Sequence, residues 1–178
     1  ALQKGARAVI LTPRAHNPTG CSLSASRAAQ LQEILARYPQ TLVIVDDHFA
    51  LLSACHWYPV IAKETTHWAV VRSMSKTLGP DLRLAIVASD PLTSGKLRLR
   101  LNSGSQWVSH LLQDLACACL SDETYQHTLA QTQQFYAVQQ QKLNTALRQH
   151  GIELPVGDGL NLWLPLEDNS QAIAFALA

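Results

Sequence analysis

The stretch ARAVILTPRAHNPTGCSLSASRAAQLQEILARYPQTLVIVDD, residues 6–47, decides the fold. Its opening, ARAVILTP, and its close, TLVIVDD, are short, apolar and β-branched, as strands are. Between them Ser24 is placed to cap a helix on which Ala28, Leu31, Ile34 and Leu35 share one face. Strand, helix, strand is the βαβ unit, whose crossover is right-handed and whose strand ends line up along one rim. Two further runs, HWAVVRS at 67–73 and RLAIVASD at 83–90, extend the sheet. Near-continuous apolar runs suit strands covered on both faces, so the expected architecture is a three-layer α/β/α domain on a mostly parallel sheet.

After residue 90 the pattern turns helical. SGKLRLRL and WVSHLLQDLACACL each predict a helix, and a longer one follows from Asp122 to about His150. On that helix Tyr125, Leu129, Tyr136, Leu143 and Leu147 keep one apolar face, and Gly151 is placed to end it. The Gln-rich QTQQ and VQQQ fall within this stripe, which argues against low complexity. GLNLWLPL at 159–166 alternates, predicting the first strand of a small α+β domain. The chain then divides into residues 1–122, part of a large domain, and 123–178, a linking helix and the beginning of a small one.

Composition narrows the function. With 47% apolar and 15% charged residues in a 178-residue chain, a real core is expected rather than disorder. The net charge of +1, without runs of Lys or Arg, offers no footprint for nucleic acid or an anionic membrane. No apolar stretch approaches the roughly 20 residues that cross a bilayer. The opening ALQKGARAVI has no initiator Met and no signal-peptide pattern, and it reads as part of something longer. Four cysteines, at 21, 55, 117 and 119, lack disulfide spacing, which fits reduced thiols in a cytoplasmic protein.

Three polar clusters sit where predicted strands end, the place where open α/β sheets hold their ligands. They are AHNPTG at 15–20, DDHF at 46–49 and SMSKTLGPDLR at 73–83. Each has a mechanical reading if the ligand is pyridoxal 5'-phosphate (PLP), a planar, anionic, electron-accepting ring. Lys76 is an amine that attacks an aldehyde when a partly dry pocket lowers its pKa. Asp46 is a carboxylate suited to a protonated pyridine nitrogen. Arg83 offers a charge-assisted fork for phosphate, and Ser73 and Ser75 offer hydroxyls. Asn17, in the turn made by Pro18 and Gly20, offers an amide donor for a phenolic oxygen. Singly each signal is weak: a lysine after a strand is mostly a surface lysine, NPTG mostly a turn, and Asp46-Asp47 equally a cap before a loop. The weight lies in the ordered set.

That set resembles the class I/II aminotransferases of PLP fold type I over most of residues 8–90, and GLNLWLPL extends the likeness to nearly the whole chain. DDH, where relatives have D-D-Y, and the G-L-x-L-W-L stretch are similar to MocR-type regulators of the GntR family, in which a winged helix-turn-helix DNA-binding domain precedes an aminotransferase-like domain. The resemblance implies that Lys76 carries the cofactor as a Schiff base and moves the substrate's α-proton. It likewise implies that Asp46 partners the pyridine nitrogen, Asn17 the phenolic oxygen, and Ser73 and Arg83 the phosphate, with Ser75 adjacent. Where the family has a tyrosine, this chain has His48 or Phe49; only His48 donates a hydrogen bond, so a weakened transaminase is one consequence. The family's glycine-rich phosphate turn, its ring-stacking aromatic and its carboxylate-gripping arginine would lie outside residues 1–178. A homodimer, an amino acid or amine ligand, and DNA contact only through a domain absent from this chain complete the implication, with this segment alone inactive.

Other readings are weaker. C-x-C at 117 and 119 turns two sulfurs apart on a helix, so no metal site is expected and buried small apolar roles are. Cys55-His56 are sequence neighbours without an orienting acid, His16 reads as a turn residue, and Trp163 as packing. A nucleotide-binding domain lacks any G-x-G-x-x-G or P-loop. Two functions remain open, transamination through Lys76 and a sensor that binds the same cofactor without turnover.

Overall fold

The computed structural model describes residues 1–101 and 107–165. Four strands form one sheet in the order β1-β2-β3-β4: β1 Ala8–Leu11, β2 Leu42–Asp46, β3 Trp68–Ser73 and β4 Ala85–Ser89. The helices are α1 Ala25–Ala36, α2 Pro91–Leu101, α3 His110–Ser121 and α4 Glu123–Gln149. Four of the five expected strands and all four expected helices form. β1, β2 and β3 run parallel, in the register Leu11↔Val45 and Asp46↔Val71. β4 departs from them by pairing antiparallel with β3. Residues 74–84 make that connection, and they are too few for the crossover of about a dozen or more residues that a parallel return needs.

The pleat sorts the sheet into two faces. Val43 and Val45, each fully buried, point toward α1 and pack with Ala28, Leu35, Val60 and Ala62, while Val9, Leu11, Leu31 and Val70 close the cluster. Ile34, expected on the same helix face, lies at its edge and is half exposed. The Ser24 cap forms as expected, its Oγ accepting from Arg27 N. The opposite face carries Ala8, Ile44, Ala69, Val71 and Val87 and opens into a wide apolar cleft of about 1390 Å³ bordered by α2. The two helices therefore lie on opposite sides of a mostly parallel sheet.

α4 crosses the rim at the carboxyl ends of the parallel strands. Its Leu129 and Tyr136 pack on Ala15, Phe49 and Leu52 from the loops after β1 and β2. Asp122 caps its start and Gly151, at φ +75°, ends it, with Ile152 N bonded to Leu147 O. The apolar stripe read from sequence is broken at Leu143, although Leu147 beyond it is again half-buried. Leu143 is exposed, and Gln140 and Asn144 are the buried positions instead. GLNLWLPL does not form a strand over residues 159–165, because these residues pack against loops with no partner strand beside them; its last residue lies outside the described ones. Trp163, expected as packing, is more than half exposed there. No helix among the described residues is long and apolar enough to cross a membrane.

Asp90 ties α2 to the sheet. Its Oδ1 accepts from Thr93 N at 3.0 Å, capping the helix that Pro91 begins, and its Oδ2 accepts from Trp68 N at 2.8 Å. Burial would raise this carboxyl's pKa, but the Thr93 and Trp68 hydrogen bonds and nearby His67 outweigh burial and hold it far below the usual range. A lowered folded pKa contributes stability that is complete above the unfolded value of about 3.9 and is lost as pH falls from there toward the folded value. The expected outcome is that wild type exceeds Asp90→Asn in urea midpoint from about pH 5 to 8, and that the margin shrinks below about pH 4. A margin that grows on acidification would refute the assignment.

Candidate active site at the carboxyl rim

The sequence left two adjacent carboxylates indistinguishable, and the pleat separates them. Asp47 follows Val45 onto the α1 side, where it is fully buried. There Arg14 Nε and Nη2 donate to its Oδ1 and Oδ2 at 3.0 and 2.7 Å, and Arg72 Nε donates to Oδ2 at 3.1 Å. Both guanidiniums stand over the Trp57 ring, at 5.3 and 5.6 Å from its centre. Asp46 follows Ile44 onto the other side, level with Val71 and on the same face as Ser73. Its side chain is 46% exposed, and His48 Nδ1 lies 3.7 Å from its Oδ1. Asp47 is thus consumed in an internal ion pair, and Asp46 is left facing outward at the rim.

Phe49 is buried against Ala15, Leu52 and Tyr136, which removes it from consideration as a ligand. His48, half-buried beside Asp46, is the residue of that pair able to donate at the site. The Asn17 turn is held from within: His16 N donates to Cys21 O, Gly20 N to His16 O, and Ala15 N to Ser22 Oγ. Ala15 takes a left-handed φ of +48°, the Asn17–Pro18 peptide is cis, and Asn17 itself is exposed at the tip. His16, expected at the surface, is half-buried with Nδ1 2.9 Å from Thr19 Oγ1.

Residues 74–84 form a compact loop rooted on buried Met74, whose N donates to Leu84 O and whose carbonyl accepts from Leu78 N. Ser73 Oγ donates to Ser75 Oγ at 3.1 Å and accepts from Ser75 N, so the two hydroxyls stand together. Tyr125 of α4 donates its hydroxyl to Thr77 O at 2.8 Å, and burial, with Cys119 nearby, raises that phenol's pKa. Lys76 and Arg83 both project from the loop into solvent. The dry pocket expected around Lys76 is not formed by the described residues, because the loop stands out from the rim with packing only on its inner side.

Sequence reasoning missed Arg14, Arg72 and Trp57, whose convergence on Asp47 depends on the sheet. The remaining candidates fall away or stay silent. Burial pushes the Cys55 thiol up, opposite to what activates a nucleophile. Cys117 is exposed and Cys119 half-buried, so they are not the buried apolar fillers expected; Ala116 takes that place. Among the described residues no cluster of His, Cys, Asp or Glu is fit to hold a metal.

Comparison with known proteins gives this rim its context. The family profile described as aminotransferase class I and II matches residues 1–175. The vitamin B6 salvage pathway transcriptional repressor PtsJ of Salmonella typhimurium is 73% identical over the whole chain, which spans 41% of that protein. Among solved structures, N-succinyldiaminopimelate aminotransferase from Mycobacterium tuberculosis superposes with a TM-score of 0.77 at 19% identity, covering 96% of this chain and 46% of that one. The α-aminoadipate aminotransferase LysN from Thermus thermophilus, complexed with N-(5'-phosphopyridoxyl)-L-leucine, does so with a TM-score of 0.73 at 22% identity, covering 93% and 47%. At these identities the structures establish the fold, and the family match covers nearly the whole chain.

The two aspartates give a direct test. Asp47→Ala strands the buried Arg14 guanidinium in the interior and removes a partner from the more exposed Arg72, and is expected to lower stability by about 3–5 kcal/mol in urea unfolding. Asp46→Ala, at a half-exposed position, is expected to cost less than about 1 kcal/mol. The reverse ranking would overturn the division of roles.

Proposed function

Because the chain belongs to the aminotransferase class I and II family, we propose that its rim binds PLP and that, in the full-length protein, this aminotransferase-like domain serves a MocR-type transcription regulator as its cofactor-sensing part. The observation that carries the reading is the pairing at the strand ends. Asp46 and Ser73 share one sheet face, with Lys76 and Arg83 on the loop beside them, while Asp47 is neutralised on the other side.

This donor set suits the group chemically. Asp46, free of arginine, is the carboxylate for a protonated ring nitrogen. The Ser73 and Ser75 hydroxyls and the Arg83 guanidinium are donors for a phosphate. Asn17 and His48 are donors for a phenolic oxygen, and Lys76 is the amine that holds the aldehyde. When bound, the cofactor supplies an electron sink for bonds at an amino group's carbon. The protein's part is to orient the ring with Asp46 and Asn17, fix the phosphate, and move a proton with the Lys76 amine.

The repressor reading is favoured by 73% identity to a B6 salvage repressor, and a sensing domain needs only to shift a conformational equilibrium on binding. Transamination of an amino acid or amine is the second reading, favoured by the family match and by the presence of Lys76. The replacement of a phenol by the His48 imidazole favours the first, since it changes the donor to the ring's oxygen. Dimerisation and DNA contact belong to the full-length protein, of which this chain spans a minority of the relative's length.

A visible absorption titration of the full-length protein with PLP tests the proposal. A band near roughly 420 nm, trapped by borohydride and absent in Lys76→Ala, is the expected result for lysine–aldehyde chemistry. An undiminished band in Lys76→Ala would overturn it. Keto acid release on adding amino acids would select catalysis over sensing.

A further inference from the structure

Three loops meet at one buried carboxylate that the site described above does not use. Asp158, 7% exposed, accepts from Ser22 Oγ at 3.0 Å and Ser53 Oγ at 2.5 Å through Oδ2. Its Oδ1 accepts from Ala54 N at 3.2 Å and Gly159 N at 2.9 Å, and its own N donates to Gly20 O at 2.8 Å. Ser22 and Gly20 belong to the Asn17 turn, and Ser53 and Ala54 close the loop that begins at Asp46 and His48. The carboxylate thus joins the segment after α4 to both cofactor-facing loops.

The joint is sterically tight. A Cβ on Gly20 would stand 2.6 Å from Asn161 O, and one on Gly159 would stand 2.6 Å from the Ala15 Cβ. Both glycines also have left-handed φ, +66° and +79°. From the other side α4 grips the same parts through its buried polar stripe. Gln140 Nε2 donates to Gly159 O and Asn161 O at 3.0 and 3.1 Å, and Gln133 donates to Ser53 O. Ser22 Oγ relays the contact inward by accepting from Ala15 N at 3.0 Å, two residues from Asn17.

We propose that Asp158 is a positioning residue for the cofactor site: it locks the Asn17 turn to the loop carrying Asp46 and His48, so docking of residues 157–161 sets how tightly PLP is held. The proposal rests on the PLP reading for its consequence and on the hydrogen-bond geometry for its mechanism. Removing this buried carboxylate takes from four donors the acceptor they share, and leaves the Asn17 turn tied to the loop after β2 through its root, by the Arg14–Asp47 pair and the Ala15–Phe49–Leu52 packing.

The test uses the full-length protein and two readouts. Asp158→Ala is expected to speed amide exchange at residues 15–22 while exchange in β2 stays protected, and to weaken PLP binding by about tenfold with the Lys76-dependent band retained. Ser22→Ala, a milder change, is expected to move both readouts in the same direction by less. In a double-mutant cycle, Asn17→Ala is expected to cost clearly less PLP affinity in the Asp158→Ala background than in wild type, whereas it should add fully to Leu35→Ala in the α1 core. Unchanged exchange at 15–22 overturns the proposal, as does loosened exchange with unaltered PLP affinity or with strict additivity. If Asp158→Ala does not fold, the Ser22→Ala results decide by the same criteria. Absence of any Lys76-dependent band in wild type strikes the cofactor reading instead, and the exchange data then decide the lock alone.

Discussion

The constraint on which the rim depends is the neutralisation of Asp47. A fully buried carboxylate is tolerable only with cationic partners and hydrogen bonds, and Arg14 and Arg72 supply both from β1's loop and from β3. That triad fixes three consecutive strand ends to one another. It also leaves the adjacent Asp46 without an arginine, which is the condition for its carrying a ligand's positive charge.

Around this centre the parts divide by job. α1 covers one sheet face with aliphatic packing, and α4 covers the loops at the rim with a mixture of aromatic contacts and amide hydrogen bonds. The amides suit their surroundings. Loops expose backbone carbonyls that an apolar helix face would leave unsatisfied, and Gln140 and Gln133 meet them. The same reasoning explains why Leu143, a residue of the expected stripe, is exposed while Gln140 faces in. Some buried polar atoms on this helix stay unpaired among the described residues, notably both amide atoms of Asn144.

An aminotransferase-like scaffold that holds a cofactor can serve either turnover or sensing, because both need the same amine, carboxylate and phosphate ligands. What distinguishes them is what moves after binding. Here the segment beyond α4 is hydrogen-bonded through Asp158 to the loops that would touch the ring. On the proposed PLP reading, cofactor binding and the seating of that segment would be mechanically linked, and linkage between two sites is the raw material of a switch.

Local pattern determined much of this protein. The strands announced themselves by apolar β-branched runs, α1 by the Ser24 cap and its periodicity, and the end of α4 by Gly151, since each signal is confined to a few neighbouring residues. The candidate residues were also legible as an ordered set, with DDH and SMSK at the ends of β2 and β3 and NPTG in the loop after β1. Tertiary structure alone decided which aspartate is spent and which is available, since that depends on the pleat and on arginines far along the chain. It alone buried Gln140 and brought Asp158 against Ser22 and Ser53, more than a hundred residues away. No local period encodes a contact between polar side chains so distant in sequence; it exists only once the sheet, the long helix and the segment after it have closed on one another.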